Sequence, residues 1–307
     1  MESSSTTLWL FCDGKRGHEN QVLGLAEALC RQKPFRLETV RLPHDDSFRS
    51  RRAALRAAME ALPAPALVLG AGHSTHLPLI YAAKRTGAKS VVLMRPSLPE
   101  FLFDCCVIPE HDLGDGAADT RRRLITRGAI NRMRYDPGRK ENRGVLLIGG
   151  PSREHGWDGD RLLAELTAVV EAEAETRWVL TTSRRTPRGF LDALRESLPG
   201  VACFEGAETG PDWLPDQLAR AGEVWVTGDS VSMIYEGLTA GARVGVLTSP
   251  LRAKPSKLTQ GVERLARDGY ITRWERWRET GKLSPPPGIL AEADRCAGAL
   301  MRRLGWA

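Results

Sequence analysis

No stretch of the 307 residues approaches the ~18 uncharged apolar residues that a membrane-spanning helix needs, which excludes a body built from such helices. Residues 1–7 lack the basic and apolar regions of a secretory signal, so a cytoplasmic protein is expected. Cys-x-x-Cys pairs are missing. The six cysteines, Cys12, Cys30, Cys105, Cys106, Cys203 and Cys296, are scattered through apolar or helical surroundings and read as buried free thiols. Neither Gly-x-Gly-x-x-Gly nor a Gly-Lys-Ser/Thr P-loop occurs, so the two commonest nucleotide motifs are absent. There is no tandem repeat and no low-complexity tract. Basic residues are not interleaved with aromatics and no nucleic-acid module appears, so no nucleic-acid partner is expected.

Hydrophobic residues at 42% and charged residues at 27% describe a soluble, folded chain long enough for two domains. The net charge of +6 is unevenly spread. Residues 1–140 carry 22 basic and 15 acidic side chains, against 22 and 23 in residues 141–307. A basic first half suits a solvated surface, and equally an anionic membrane surface or a phosphorylated acceptor.

Short apolar runs alternate with segments of helical period: strands at 8–12, 35–40, 66–70, 90–94 and 105–108, with helices near 19–31, 48–61 and 75–85. Polar text from 110 to 143 separates this from a second series, with strands at 145–148, 178–181, 201–204, 223–227 and 243–247 and helices near 160–173, 189–197 and from Ser230. The alternation predicts two successive α/β domains, 1–140 and 141–307, each a parallel sheet covered by helices, with a last amphipathic helix at 289–304 able to cross the domain junction.

Ligands of open α/β sheets bind beyond the carboxyl ends of the strands, so the loops after each apolar run are the candidate sites. After the first strand come Asp13, Gly17, His18, Asn20 and Gln21, ahead of a helix. Asp13 and His18 are candidate proton acceptors, although capping and turn roles explain such residues too. His73 and Ser74 follow the third strand, and Arg95 follows the fourth, placed to meet negative charge or to serve as a structural arginine. In the second half, Gly149-Gly150-Pro151-Ser152 is a small-residue turn suited to phosphate, and Thr182-Ser183-Arg184-Arg185-Thr186 combines hydroxyls with two guanidinium groups. Thr227, Asp229, Ser230, Ser232 and Met233 open a helix whose free N–H groups suit a diphosphate, with Glu236 two turns in as an acceptor for ribose hydroxyls. Asp158-Gly159-Asp160 spells a metal-binding Asp-x-Asp but sits where a helix cap is expected, so no metal is assigned.

Taken together, Asp13-Gly-Lys-Arg-Gly-His-Glu-Asn-Gln, Gly70-Ala-Gly-His-Ser-Thr-His, Gly149-Gly-Pro-Ser, Thr182-Ser-Arg-Arg-Thr-Pro and Thr227-Gly-Asp-Ser-Val-Ser-Met resemble one family over roughly residues 8–270. It is the bacterial branch of the elongated-mitochondria fission-factor family, described as candidate glycosyltransferases. That family is similar to the GT-B glycosyltransferases, which implies two Rossmann-like domains facing a cleft, a nucleotide sugar held by the second and an acceptor by the first. The resemblance further implies metal-independent transfer with no cofactor beyond the donor, to a lipid-linked or lipopolysaccharide-type acceptor at the inner face of the cytoplasmic membrane. Arg49, Arg51, Arg52 and Arg56 on the helix at 48–61 are compatible with such contact. Two other implied roles stay open: a non-enzymatic adaptor with a vestigial nucleotide pocket, and a non-hydrolysing sugar-nucleotide epimerase.

Overall fold

Strands buried on both faces must be apolar along their whole length, and the runs at 8–11 and 145–148 form such strands in the computed structural model of the chain. The structure describes residues 6–43, 48–114, 116–254 and 256–306; the stretch 1–7 read for a leader lies largely outside them. The chain divides into two units, residues 1–132 with 291–307 and residues 133–290. The division falls eight residues before the expected boundary at 140, and the last helix belongs to the first unit.

The first unit contains β1 (Thr6–Cys12), α1 (Arg16–Gln32), β2 (Phe35–Arg41), α2 (Phe48–Ala61), β3 (Leu67–Ala71), α3 (His76–Thr86), β4 (Lys89–Leu93), β5 (Cys105–Pro109) and β6 (Arg123–Thr126). The second contains β7 (Glu141–Ile148), α4 (Gly159–Ala172), β8 (Arg177–Thr182), α5 (Phe190–Ser197), β9 (Ala202–Phe204), α6 (Trp213–Arg220), β10 (Ala221–Thr227), α7 (Val231–Thr239), β11 (Arg243–Leu247), α8 (Lys257–Arg267), β12 (Ile271–Arg273) and α9 (Trp274–Thr280). The chain returns to the first unit as α10 (Glu292–Leu304).

Both sheets are six-stranded and parallel, ordered β2-β1-β3-β4-β5-β6 and β12-β11-β10-β7-β8-β9. Because strand side chains alternate, Leu8 and Leu10 face α1 and α10 while Trp9 and Phe11 face α2 and α3. Val22, Leu25, Ala26 and Leu29 recur at helical spacing on the buried side of α1. Cys296, Ala297, Leu300 and Met301 of α10 join the same core, and Arg31 and Asp294 pair at 2.6 Å beside it. In the second sheet Val145 and Leu147 pack on α6, α7 and α8, whereas Leu146 and Ile148 pack on α4, α5 and α9. Trp225, Trp274 and Trp277 form a ring cluster under α9, with Trp274 and Trp277 stacked at 5.1 Å. Burying each large apolar side chain contributes roughly 1.5–3 kcal/mol, so these two-sided strands dominate the stability of each unit.

Candidate functional site

In the first sheet the strand order reverses between β1 and β3, and the crevice at such a point lies outside the carboxyl ends of the two strands. Asp13 immediately follows β1 and Ser74 lies three residues past β3. The Ser74 hydroxyl donates to Asp13 Oδ2 at 2.6 Å, and the same oxygen lies 2.9 Å from His18 Nδ1. Asp13 Oδ1 accepts from the Lys15 N–H at 3.2 Å, and Glu19 Oε1 accepts from the Gly14 N–H at 3.0 Å, which fixes the entry to α1. Burial pushes the Asp13 carboxyl up, but the hydrogen bonds from Ser74, His18 and the Lys15 N–H, together with the His18 charge, outweigh it. The net effect is a lowered pKa, so Asp13 is a carboxylate at neutral pH.

The side chain of Asp13 is 4% exposed and that of His18 20%, so the imidazole is the group that a ligand meets. Its Nε2 makes no hydrogen bond among the described residues. Gly72, at φ +81, lets the His18 ring lie close against the backbone after β3, where any Cβ would overlap it. His73 Nδ1 lies 2.7 Å from Ser97 Oγ, which also reaches His76 Nδ1 at 3.2 Å. His76 is buried; burial and then neighbouring His73 push its pKa down to about 4, so it is neutral in this network.

The other expected residues of this loop set are not drawn in. Gly17 and Asn20 are exposed on the first turns of α1, and Gln21 Nε2 donates back to the Gly17 carbonyl at 3.4 Å. Arg95, exposed, donates to the Asp112 carbonyl at 2.9 Å.

The second sheet reverses between β7 and β10, and again the candidate loops follow those two strands. Gly149 N–H donates to Thr227 Oγ1 at 2.8 Å and Gly150 N–H to Asp229 Oδ2 at 3.1 Å. Arg185 closes the set: it donates to Asp229 Oδ2 and to the Gly150 carbonyl, each at 2.6 Å, and reaches Ser230 Oγ at 3.3 Å. Thr186 Oγ1 donates to the Gly149 carbonyl at 2.5 Å and accepts from the Ser183 N–H at 3.0 Å. A side chain at Gly149 would overlap Asp229 and Ser230, and one at Gly150 the Arg185 backbone. These glycines are thus required by internal packing, and their N–H groups are taken by Thr227 Oγ1 and the Asp229 carboxylate. Ser152 Oγ accepts from the Glu154 and His155 N–H groups, behind half-buried Pro151. Thr182 is buried at the end of β8.

What remains open in this unit is the start of α7. Ser230 occupies its N-cap without a side-chain cap, leaving the first-turn N–H groups through Met233 to solvent or ligand, with Ser232 exposed beside them. Arg184 is exposed and makes no hydrogen bond among the described residues. Glu236, half-buried on the second turn of α7, likewise has no side-chain partner among them, and burial raises its pKa to about 7. Asp158 Oδ1 accepts from the Arg161 N–H at 3.1 Å as the N-cap of α4, and among the described residues no three His, Cys, Asp or Glu side chains gather as metal ligands would.

Sequence reasoning did not single out Glu154, Tyr81 or Leu98. Glu154 Oε2 accepts from the Ser256 N–H at 2.9 Å and Thr259 Oγ1 at 2.8 Å, tying the loop after β7 to the start of α8. Tyr81 sits four residues beyond Leu77 on α3, and both line a cavity with Leu98; that i, i+4 apolar pair was the available signal.

Two Rossmann-like domains, each with its polar loops at a sheet's reversal point, define a GT-B fold. The chain is similar in structure to a "putative UDP-N-acetylglucosamine 2-epimerase" from Listeria monocytogenes, with TM-score 0.61, 14% identity, and 99% and 98% of the two chains covered. It is also similar to the glycotransferase of kitacinnamycin, with TM-score 0.56, 17% identity, and 98% and 99% covered. An S. aureus MnaA–UDP structure gives TM-score 0.53 at 13% identity over 98% of both chains. The chain belongs to the mitochondrial fission ELM1 family, whose model matches residues 16–304. It is 21% identical over 297 residues to the uncharacterized protein RP120 of Rickettsia prowazekii (strain Madrid E), covering 79% of this chain and 83% of that one. Among the described residues no helix is long and apolar enough to cross a membrane.

Proposed function

We propose that the protein is a metal-independent glycosyltransferase that moves a sugar from a nucleotide-sugar donor to a cell-envelope acceptor, working at the cytoplasmic face of the membrane. The second unit binds the donor: the α7 N-terminus with Ser232 receives the diphosphate, Arg184 offsets its charge, and Glu236 accepts ribose hydroxyls. Arg185, committed to Asp229, shapes the turn instead of touching phosphate. The first unit binds the acceptor. His18 Nε2 takes the proton of the acceptor hydroxyl as its oxygen bonds to the anomeric carbon, and the bond from that carbon to the diphosphate breaks with its electron pair leaving on the nucleotide. Asp13 holds the imidazole through Nδ1 and stabilises the imidazolium that forms, while Ser74 holds Asp13.

The observation that carries this reading is the Asp13–His18–Ser74 set at the reversal of the first sheet, with Nε2 uncommitted. It supports His18 over Asp13 as the base, because Asp13 is buried and held ionised by its hydrogen bonds. Similarity to the MnaA–UDP structure and to the kitacinnamycin glycotransferase supports the donor class. A thermal-shift panel of UDP-, GDP-, ADP-, CMP- and TDP-linked sugars, with and without magnesium, tests the donor half. The expected result is a magnesium-independent rise in melting temperature with one nucleotide, lost in Glu236→Ala. No rise with any nucleotide at millimolar concentration would overturn the reading and favour an adaptor.

A further inference from the structure

Beside the Asp13–His18–Ser74 set lies a cavity of about 340 Å³, which His73 and Ser74 of the loop after β3 share with residues of α2 and α3 and with Leu98. It falls at the small end of the ~300–1,000 Å³ range typical of small-molecule sites. Leu55 of α2, Leu77 and Pro78 of α3 and Leu98 form apolar walls, and His73, His76 and Ser74, the last bonded to Asp13, complete the lining. Ser74 is two residues from Gly72, on which the His18 ring rests. Leu77 is 54% exposed, so the apolar surface continues out of the cavity.

Two of the residues that line it carry guanidinium groups, Arg51 and Arg52, and two carry imidazoles, His73 and His76. Burial raises the phenol of Tyr81, another wall residue, but Arg52, Arg56 and Arg85 outweigh it and bring its pKa below the ordinary value. Together α2 and α3 carry six basic side chains and one acidic one. A purely apolar ligand would gain nothing from these guanidinium groups, and a small hydrophilic anion would gain nothing from the leucine walls. Adjacent guanidinium groups suit a phosphate, whose oxygens accept forked N–H donors.

We infer that this cavity seats the acceptor and that the acceptor is a phosphate-bearing amphiphile: its apolar part lies among Leu55, Leu77, Pro78 and Leu98, and its phosphate meets Arg51 and Arg52. This rests on the transferase reading for the word acceptor, but the binding it asserts needs no donor and no turnover.

The test is calorimetric titration of the full chain with dodecyl phosphate below its micellar concentration, beside dodecyl maltoside and inorganic phosphate. The expected result is one-to-one binding of dodecyl phosphate, roughly tenfold or more tighter than either control, since it alone engages walls and arginines together. Leu77→Asp, at an exposed position that leaves folding intact, weakens it at least about tenfold by placing a carboxylate in the apolar mouth. Arg52→Gln removes most of the preference for phosphate over maltoside. Equal affinities for the three ligands, or unchanged binding in both variants, would overturn the inference. So would binding to anionic vesicles without binding of monomeric dodecyl phosphate, which would make the patch a membrane-docking surface. A nucleotide-induced thermal shift without dodecyl phosphate binding overturns this inference and leaves the transferase reading standing. Dodecyl phosphate binding without any nucleotide shift overturns the transferase reading alone.

Discussion

Glu236→Gln is expected to stabilise the second unit, by an amount that depends on pH in a defined way. The carboxyl is raised from 4.5 to about 7 by burial, with no compensating partner among the described residues. Below pH 4.5 it is protonated in both folded and unfolded chains and costs nothing. Between 4.5 and 7 the unfolded chain releases the proton while the folded one keeps it, so stability falls as pH rises. Above 7 the full penalty is present. At about 1.4 kcal/mol per pKa unit the ceiling is about 3 kcal/mol, and partial solvent contact lowers it. Glutamine keeps the shape and the hydrogen-bonding oxygen without the charge. Urea unfolding at pH 4, 6 and 8 reads this directly through tryptophan fluorescence, because six of the eight tryptophans lie in the second unit. The variant should match the wild type at pH 4 and exceed it increasingly towards pH 8. A gain of equal size at all three values, or none, would refute the claim that a half-buried carboxyl on α7 is uncompensated.

Gly72→Ala is expected to cost about 1–3 kcal/mol, because the residue sits at φ +81 and a methyl there overlaps the His18 ring; thermal denaturation measures it. Asp229→Ala strips Arg185 and the Gly150 N–H of their shared acceptor and should cost about 1–3 kcal/mol, with Asp229→Asn in between, by the same assay. Asp13→Asn should destabilise more at pH 7 than at pH 3: a lowered folded pKa contributes stability that is full above the unfolded value, near 3.9, and is lost as pH falls through the folded one. Chemical denaturation of both proteins at the two pH values checks it.

Strands buried on both faces announce themselves as uninterrupted apolar runs, which is why β1, β3, β7 and β10 were legible. β6 was hidden because Arg121 and Arg122 lead into it, Arg123 opens it, and only Leu124 and Thr126 are buried. β12 is three residues long, and the α9 that follows carries two tryptophans among five charged or polar residues, too short a text for periodicity to register. α10 has a clear amphipathic face, but a face does not say which core it joins; Cys296 and Leu300 complete the first unit's core around α1. At the candidate site, loop composition brought Asp13, His18 and Ser74 forward because polar residues after a two-sided strand stand out. It could not separate Arg184 from its neighbour Arg185, since which guanidinium reaches Asp229 is settled by the path of one turn. Nor could it find the cavity, whose Leu55, Leu77 and Leu98 read in sequence as ordinary core residues.

The central claim, that His18 activates an acceptor hydroxyl for glycosyl transfer, is tested most directly by mass spectrometry of a single reaction. The protein is incubated with the nucleotide sugar that raises its melting temperature and with a phospholipid and lipid-phosphate extract of a bacterial envelope. The account predicts an extracted lipid heavier by one glycosyl unit, with nucleoside diphosphate released in equal amount and both products lost in His18→Ala. Donor recovered intact, donor converted to its epimer with no lipid product, or undiminished transfer by His18→Ala would contradict it.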